Sequence, residues 1–572
     1  MEWLLFATRP SFLSVLSPLE SLKVLVVTGG VFALTLVIGS VILSLPALLV
    51  NSSRWRPHLL VLSYIPLALL LSITALMMLD NFTYTVFKVG VISMEGLRRA
   101  VYTVGFVAFF WWMLRLSKRI VRRTNKPSSF LTPGLLTVSM AGILAIRLFN
   151  DLSDTYPNII ILGSDGLSAN YLSVYGYPLE TTPFLNKVAK TSLVAENAFP
   201  NASNTTPSTT SVLTGKEAIT VKVFRYPDML SGKDSFEHLP GILKRQGYKT
   251  VEIGTPHYVD SRRLNLLDGF DIVNNQIQDQ PAFDALRIIL GNSPSTYFIQ
   301  TILGRASERL LHIFFIKKMQ EPVAEVYKPN ERMTDEQRVD QIIDLLKRAD
   351  RPIFIFAHLM DTHGPIFTSQ KQVFSSGSDA EEWDENRYLD AILSFDGHVK
   401  KVYEHLAQTG QLDNTILVIY TDHGLKYTIN QRIPIIIHFP KNAHAGKIHN
   451  NVQNIDIPVT LLDYLGIPDP EWMTGTTLLN GEPDADREIM STTAGSPKMI
   501  APPFYQIQSI QVIVCQKRYV LNVREDTWRT GMINGHTAKC AEDTLPSEQE
   551  VHQTILEYLE KYNYDTSSLK QR

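Results

Sequence analysis

Cysteine is almost missing: Cys515 and Cys540 are the only two in 572 residues. Two thiolates cannot close the usual four-ligand zinc–thiolate site, and one disulfide is the most they permit. An excess of one charge is missing too. The 54 Lys and Arg stand against 56 Asp and Glu, a formal net charge of −2. That balance argues against a strongly basic nucleic-acid binder, and no nucleic-acid partner is expected. No internal repeat, low-complexity stretch or long charge run interrupts the chain. Residues 1–18 open without a basic n-region, so no cleaved signal peptide is expected.

Long apolar runs are concentrated before residue 150, at 24–50, 59–79, 100–114 and 130–146. The first two match the roughly 20 residues that cross a hydrocarbon core, and the last two are shorter, with Arg115 and Arg147 near their ends. A transmembrane domain of about four spans is therefore expected over 1–150. Arg115, Lys118, Arg119, Arg122, Arg123 and Lys126 crowd the connection between the third and fourth spans, which places that loop in the cytoplasm. Arg54 and Arg56 agree with this orientation, whereas Arg98 and Arg99 run against it. Everything after about residue 150 is then extracytoplasmic, where Cys515 and Cys540 are free to pair.

From residue 158 the pattern changes to short apolar runs alternating with amphipathic helices. This is the mark of an α/β domain with a largely parallel sheet flanked by helices. Three runs end in potential ligands: 158–163 leads into Ser164 and Asp165, 352–357 into His358, Asp361 and His363, and 415–420 into Asp422 and His423. Open α/β sheets build their sites beyond the carboxyl ends of the strands, so the recurrence carries weight. Thr334 with Gln337 forms a capping-box pattern, residues 276–328 read as an insertion near the site, and 548–562 read as a terminal helix. The expected layout is 1–150 transmembrane, 151–484 catalytic, and 485–572 a subdomain completing the catalytic fold.

The densest local signal is residues 204–216, NTTPSTTSVLTGK. Alone, a Ser/Thr/Asn-rich stretch is usually a loop ending in helix caps. Here its spacing resembles the sulfatase signature Cys/Ser-x-Pro-Ser-Arg followed by Leu-Thr-Gly and a basic residue. Thr205 stands at the nucleophile position, Pro207 and Ser208 are retained, and Leu213, Thr214, Gly215 and Lys216 close the motif. Residues 158–165 with 175–177 and 182–185, then 410–424, then 456–462, resemble further motifs of the sulfatase and alkaline-phosphatase superfamily, in its order. The resemblance implies an N-terminal membrane helix bundle joined to an alkaline-phosphatase-like, sulfatase-type α/β fold.

It also implies a site. Asp165, Asp422 and His423 become ligands of one divalent metal ion, with Thr205 bound to the same ion. Coordination lowers the pKa of a hydroxyl that is otherwise a poor nucleophile. Two carboxylates, an imidazole and an alkoxide favour zinc or manganese, with calcium or magnesium possible. His363 resembles the histidine that contacts the transferred group or protonates the leaving group. His257, Lys216 and Asp361 become substrate-binding candidates, while His358, beside a strand, reads as structural.

The sequence departs from the sulfatase pattern at three points. Thr205 replaces the convertible Cys or Ser and Thr209 the Arg, so formylglycine is not expected; Thr255 replaces a lysine; Ser164-Asp165 replaces a doubled aspartate. Membrane-anchored relatives with an unmodified threonine resemble bacterial phosphoethanolamine and phosphoglycerol transferases. The expected function is transfer of a phospho-head group from a phospholipid donor to an envelope lipid, glycan or protein acceptor, at the bacterial inner membrane. A phosphate- or sulfate-ester hydrolase and a non-catalytic lipid-binding regulator are the alternatives. The sequons at Asn81, Asn201 and Asn204 read as unused, in keeping with a bacterial source.

Overall fold

The computed structural model describes residues 18–50, 54–87, 97–124, 156–277, 294–314, 333–495 and 507–569, apart from short gaps at 227, 256–257, 275, 377–380, 539, 542–543 and 568. The chain divides into two compact units, 1–152 with 280–325, and 153–279 with 326–572.

The first unit holds α1 (Pro18–Leu49), α2 (Ile65–Phe87) and α3 (Leu97–Thr124). Among the described residues, three helical stretches are long and apolar enough to cross a membrane: Pro18–Ala47, Arg56–Leu79 and Ala100–Arg123. Their outer faces show why. Ile38, Val41, Ile42, Val101, Val104, Trp111 and Trp112 point outward uncovered, a surface suited to lipid rather than water. The basic residues expected in a loop, Arg115 to Arg123, instead continue α3, and the Arg115 guanidinium lies 3.3 Å from the Trp111 ring centre. The fourth expected span, 130–146, lies outside the described residues.

The helix Pro294–Phe314 falls in the stretch read from sequence as an insertion near the site, yet it belongs to this first unit. Thr103 Oγ1 donates to the Ile313 carbonyl at 2.8 Å, Phe314 meets Phe106 edge to face at 5.6 Å, and Ile313 is buried with Leu76 and Tyr102. Its own composition is not that of a span, so only these contacts reveal its place.

The second unit is built on a nine-stranded sheet, ordered β5-β4-β3-β6-β1-β7-β8-β2-β9. In chain order these are β1 (Asn158–Ser164), β2 (Leu193–Phe199), β3 (Lys249–Ile253), β4 (Ile272–Val273), β5 (Gln276–Ile277), β6 (Ile353–Leu359), β7 (Thr415–Tyr420), β8 (Ile433–His438) and β9 (Gly446–Gln453). β1 pairs in parallel with both β6 and β7, and the departures from parallel are at β5 and β8. Ile, Val and Phe fill the central strands because both faces are covered. Ile159, Ile161, Phe354, Phe356, Ile416 and Val418 bury on one face, and Ile160, Leu162, Ile353, Ile355, Leu417 and Ile419 on the other, as a two-residue period requires. Burying each such side chain contributes about 1.5–3 kcal/mol.

Helices α4 (Thr205–Thr214) and α7 (Asp456–Tyr464) pack on the first face through Val212, Leu213, Ile457 and Leu461. α5 (Asp335–Lys347) and α6 (Glu385–Gln408) cover the second through Val339, Ile342, Ile392 and Phe395. The capping box of Thr334 and Gln337 opens α5 as its sequence suggests. This is the expected α/β architecture.

A second, antiparallel sheet follows: β10 (Glu488–Ala494), β11 (Ile507–Val514), β12 (Lys517–Asn522) and β13 (Thr527–Met532), with α8 (Glu548–Lys561) beside it. It grips the segment leading into α4. Ser203 N donates to the Thr492 carbonyl at 3.0 Å, Thr492 N to the Asn201 carbonyl at 3.1 Å, and Ser491 Oγ to the Pro200 carbonyl at 2.5 Å. Cys515 and Cys540 form a disulfide that ties the end of β11 to the segment after β13.

Candidate active site

Register fixes the site. Gly163 stands opposite His358 on β6 and Tyr420 on β7, so three neighbouring strands end at one level and deliver Asp165, His358 and the Asp422–His423 pair to one edge. Gly163 is required there, because a Cβ would lie 2.5 Å from the Tyr420 ring. Beyond the strands, Gly166 N donates to Asp422 Oδ1 at 3.1 Å and Thr421 Oγ1 donates to the Ser164 carbonyl at 2.6 Å, locking the two carboxylate-bearing turns together.

Thr205 comes from the other direction, as the first residue of α4. The whole of this hydroxyl-rich helix is buried, and Thr210 and Thr214 return their hydroxyl protons to the carbonyls of Thr206 and Thr210 at 2.8 and 2.7 Å. Gly215, at φ +68°, ends it; a Cβ there would press within 2.8 Å of Met473. The helix therefore presents its positive end where Thr205 stands, a favourable place for an anion. Thr205 Oγ1 donates to Asp165 Oδ2 at 3.0 Å.

Asp165, Asp422, His423 and His358 are each at most 1% exposed. His423 Nε2 lies 3.3 Å from Asp422 Oδ2 and 3.7 Å from Asp165 Oδ1. Its Nδ1–H donates to the Gly424 carbonyl at 3.0 Å, leaving the Nε2 lone pair turned toward the carboxylates. Asp422 Oδ2 and His423 Nε2 are buried with no hydrogen-bond partner among the described residues. Orphaned acceptors of this kind, on a carboxylate and an imidazole beside a second carboxylate, fit a divalent cation. Among the described residues, Asp165, Asp422 and His423 are the group whose ligand atoms converge on one point. Burial disfavours ionisation of Asp165, but the His358 hydrogen bond and the electrostatic pull of the surrounding imidazoles hold its carboxyl well below the usual carboxylate range.

One wall of the site stays open to solvent. His363 is half-buried, its Nε2 3.4 Å from the Tyr427 hydroxyl and its ring 5.1 Å from that of Tyr258. Tyr427 also packs on His423, with ring centres 5.0 Å apart. Lys426 and Tyr427 hold φ of +58° and +59°, a conformation side chains avoid and one that clusters at functional sites. Outward from His363 runs a cleft of about 440 Å³ whose lining includes Tyr258, Arg338, Asp361, Gln370 and His398. Asp361 faces it, accepting from Thr368 Oγ1 at 2.7 Å and lying 3.3 Å from His398 Nε2.

Of the residues singled out from sequence, Thr205, Asp165, Asp422 and His423 come together, with His363 and Asp361 on the adjoining wall. Lys216 does not. It lies beyond the far end of α4, buried against Asp234 at 2.6 Å and also Glu237, with Trp472 alongside. The ten-residue helix separates it from Thr205 by roughly 15 Å. Its charge is spent on those two carboxylates, which corrects the expectation that it binds substrate. His257 lies outside the described residues.

Sequence reasoning missed three groups. His358, set aside as structural, places Nε2 3.3 Å from Asp165 Oδ2. Asp335, read only as part of a helix start, accepts the backbone N–H groups of Met360 and Asp361 at 2.7 Å each and holds the loop carrying His363. Asn454 donates to the Thr421 carbonyl at 3.0 Å, behind the Asp422–His423 turn. Only His358 left a signal, as one of the polar residues ending a buried strand.

Fold and site thus define an α/β enzyme with a cation-ready floor beneath a helix-borne hydroxyl. The sulfatase family profile matches residues 157–467, and the chain belongs to that family. It is 22% identical over 443 residues to N-acetylglucosamine-6-O-sulfatase of Bacteroides thetaiotaomicron, covering 64% of this chain and 77% of the relative. It is 24% identical over 357 residues to human N-acetylgalactosamine-6-sulfatase, covering 55% and 63%. In solved structures, a candidate sulfatase of Bacteroides fragilis superposes with a TM-score of 0.50 at 16% identity, over 74% of this chain and all of that one. Ps i-CgsB gives 0.50 at 18% identity, over 71% and 93%. These structural likenesses speak for the fold. The protein is accordingly a sulfatase-family enzyme, of a family that uses a metal ion.

Proposed function

We propose that this enzyme uses unmodified Thr205 to take a phospho-head group from a membrane phospholipid and pass it to an envelope lipid, glycan or protein. The observation that carries the reading is the Thr205 hydroxyl on Asp165 at 3.0 Å, at the start of α4 and beside the Asp165–Asp422–His423 group. A threonine cannot supply the aldehyde hydrate of a formylglycine, so the hydroxyl itself attacks. Its hydrogen is directed at Asp165, which leaves an oxygen lone pair for the electrophile.

Asp165, Asp422, His423 and Thr205 would hold the ion, with zinc or manganese favoured by the donor set. When bound, a divalent ion supplies Lewis acidity toward the ester oxygens and lowers the pKa of the attacking hydroxyl. His363 protonates the departing alkoxide and then deprotonates the incoming acceptor, a task suited to an imidazole with solvent access. Asp361 orients the hydroxyl-bearing part of the substrate in the cleft. The α4 N-terminus favours the negative charge that builds on the transferred group.

A membrane donor is supported by the three span-length helices in the same chain. The Cys515–Cys540 disulfide supports an oxidising, extracytoplasmic setting for the catalytic unit, at the inner membrane of a bacterium. A second reading, ester hydrolysis with water as acceptor, is favoured by the sugar sulfatases among the relatives, those of Bacteroides thetaiotaomicron and human included. Reconstitution in vesicles containing head-group-labelled phospholipid tests the choice. Transfer predicts label on an added envelope fraction and diacylglycerol left in the bilayer; hydrolysis predicts free phospho-head group or, with sulfated sugars, free sulfate.

A further inference from the structure

We infer that His358 is a positioning residue that sets the cation affinity of the site, holding Asp165 and Asp422 in the arrangement the ion needs. This rests on the reading of Asp165, Asp422 and His423 as its ligands. His358 lies one residue before the end of β6 and is opposite Gly163 in register, so strand pairing fixes its backbone. Its ring is wholly buried, with Nε2 3.3 Å from Asp165 Oδ2 and 4.0 Å from Asp422 Oδ2. It is thus a second nitrogen, besides His423 Nε2, close to both carboxylates.

Two buried carboxylates this close repel one another, and each would turn away from its neighbour if nothing held it. The Nε2–H of His358 donates to Asp165 Oδ2, the oxygen that also accepts from Thr205. One carboxylate oxygen therefore collects both hydrogen bonds, while Asp165 Oδ1 and Asp422 Oδ2 stay turned toward His423 Nε2. On the other side of the ring Nδ1 is buried and has no partner among the described residues, so no bond there explains the place of the imidazole. A polar ring left half-satisfied in a dry core costs stability, which a packing role alone does not justify. Hydrogen bonding to a ligand carboxylate fixes its orientation and raises metal affinity, and losing such a partner costs 10- to 100-fold.

The test is metal affinity of the full-length protein in detergent, measured by chelator competition with zinc and with manganese. His358→Leu keeps the bulk and removes the donor; His358→Gln places an N–H close to where Nε2 stands. We expect His358→Leu to bind 10- to 100-fold more weakly than wild type and His358→Gln to stay within about threefold. Thermal unfolding in excess chelator should be similar for both variants, since the effect lies in the loaded site. Equal, wild-type affinity in His358→Leu overturns the inference. Should the leucine variant not fold, a folded His358→Gln that has lost more than tenfold overturns it equally. Wild-type protein that takes up neither ion overturns the ligand assignment itself, a different and earlier failure.

Discussion

Two buried carboxylates on one sheet meet opposite fates. Asp165, at the end of β1, is surrounded by His358, His423 and the Thr205 hydroxyl, and its carboxyl is held well below the usual range despite burial. Glu252, on β3 two strands away, pairs with no imidazole among the described residues. Its Oε2 accepts from Ser261 N at 2.9 Å and Oγ at 2.8 Å, while Oε1 is buried without a partner. Burial, helped by the charge of Asp260 and opposed by the Ser261 bonds, pushes it up to about 7. The sheet alone therefore does not make a carboxylate a cation ligand. The turns that follow β6 and β7 do, by bringing nitrogen donors and a second carboxylate to β1 and none to β3.

The comparison breaks most sharply at the hydroxyl. Thr205→Ala should lower turnover by about 1,000-fold or more while unfolding behaviour stays near wild type. Wild-type turnover in that variant would remove Thr205 from the chemistry. Next in size is the floor: Asp422→Asn should weaken metal binding more than about 100-fold, read by metal content after dialysis. The same change at Glu252, to Gln, should leave metal content untouched. On the open wall, His363→Gln should cost about 100-fold in turnover at unchanged metal content, because its part is proton transfer.

A last effect, on stability and not on turnover, separates the two carboxylates by pH. Glu252 binds its proton more tightly in the folded protein than in the unfolded chain. Its contribution to stability is therefore full in acid and is lost as pH rises from about 4.5 to about 7, a change on the order of 3 kcal/mol. Glu252→Gln should flatten the loss of stability across that window, measured by thermal unfolding at pH 5 and pH 8. An unchanged slope would mean that Glu252 is not the group responsible.

Much of this was legible in the sequence for a physical reason. Strands 158–164, 353–359 and 415–420 are buried on both faces, so they read as plain apolar runs, and their polar ends announce the site edge. The position of Thr205 followed from the resemblance of residues 204–216 to the sulfatase signature, a local segment that folds as one helix from Thr205 to its closing Gly215. What failed depended on distant partners. Lys216 has the motif's charge, but Asp234 and Glu237 arrive from residues that no spacing rule connects to it. The helix Pro294–Phe314 is assigned by Thr103 and Phe106, more than two hundred residues upstream of the Ile313 and Phe314 they meet. His358 looked structural because a strand-end histidine is ordinary until the register puts it opposite Gly163 and beside Asp165.

The central claim is that Thr205 is the group that becomes covalently loaded. Peptide mass spectrometry of the protein purified from its native membrane, with and without added phospholipid, addresses it directly. The account predicts a phosphate or head-group phosphate on the peptide containing Thr205, lost when an acceptor is supplied and absent in Thr205→Ala. An active enzyme that never carries an adduct on that peptide, or carries it on another residue, would contradict the account.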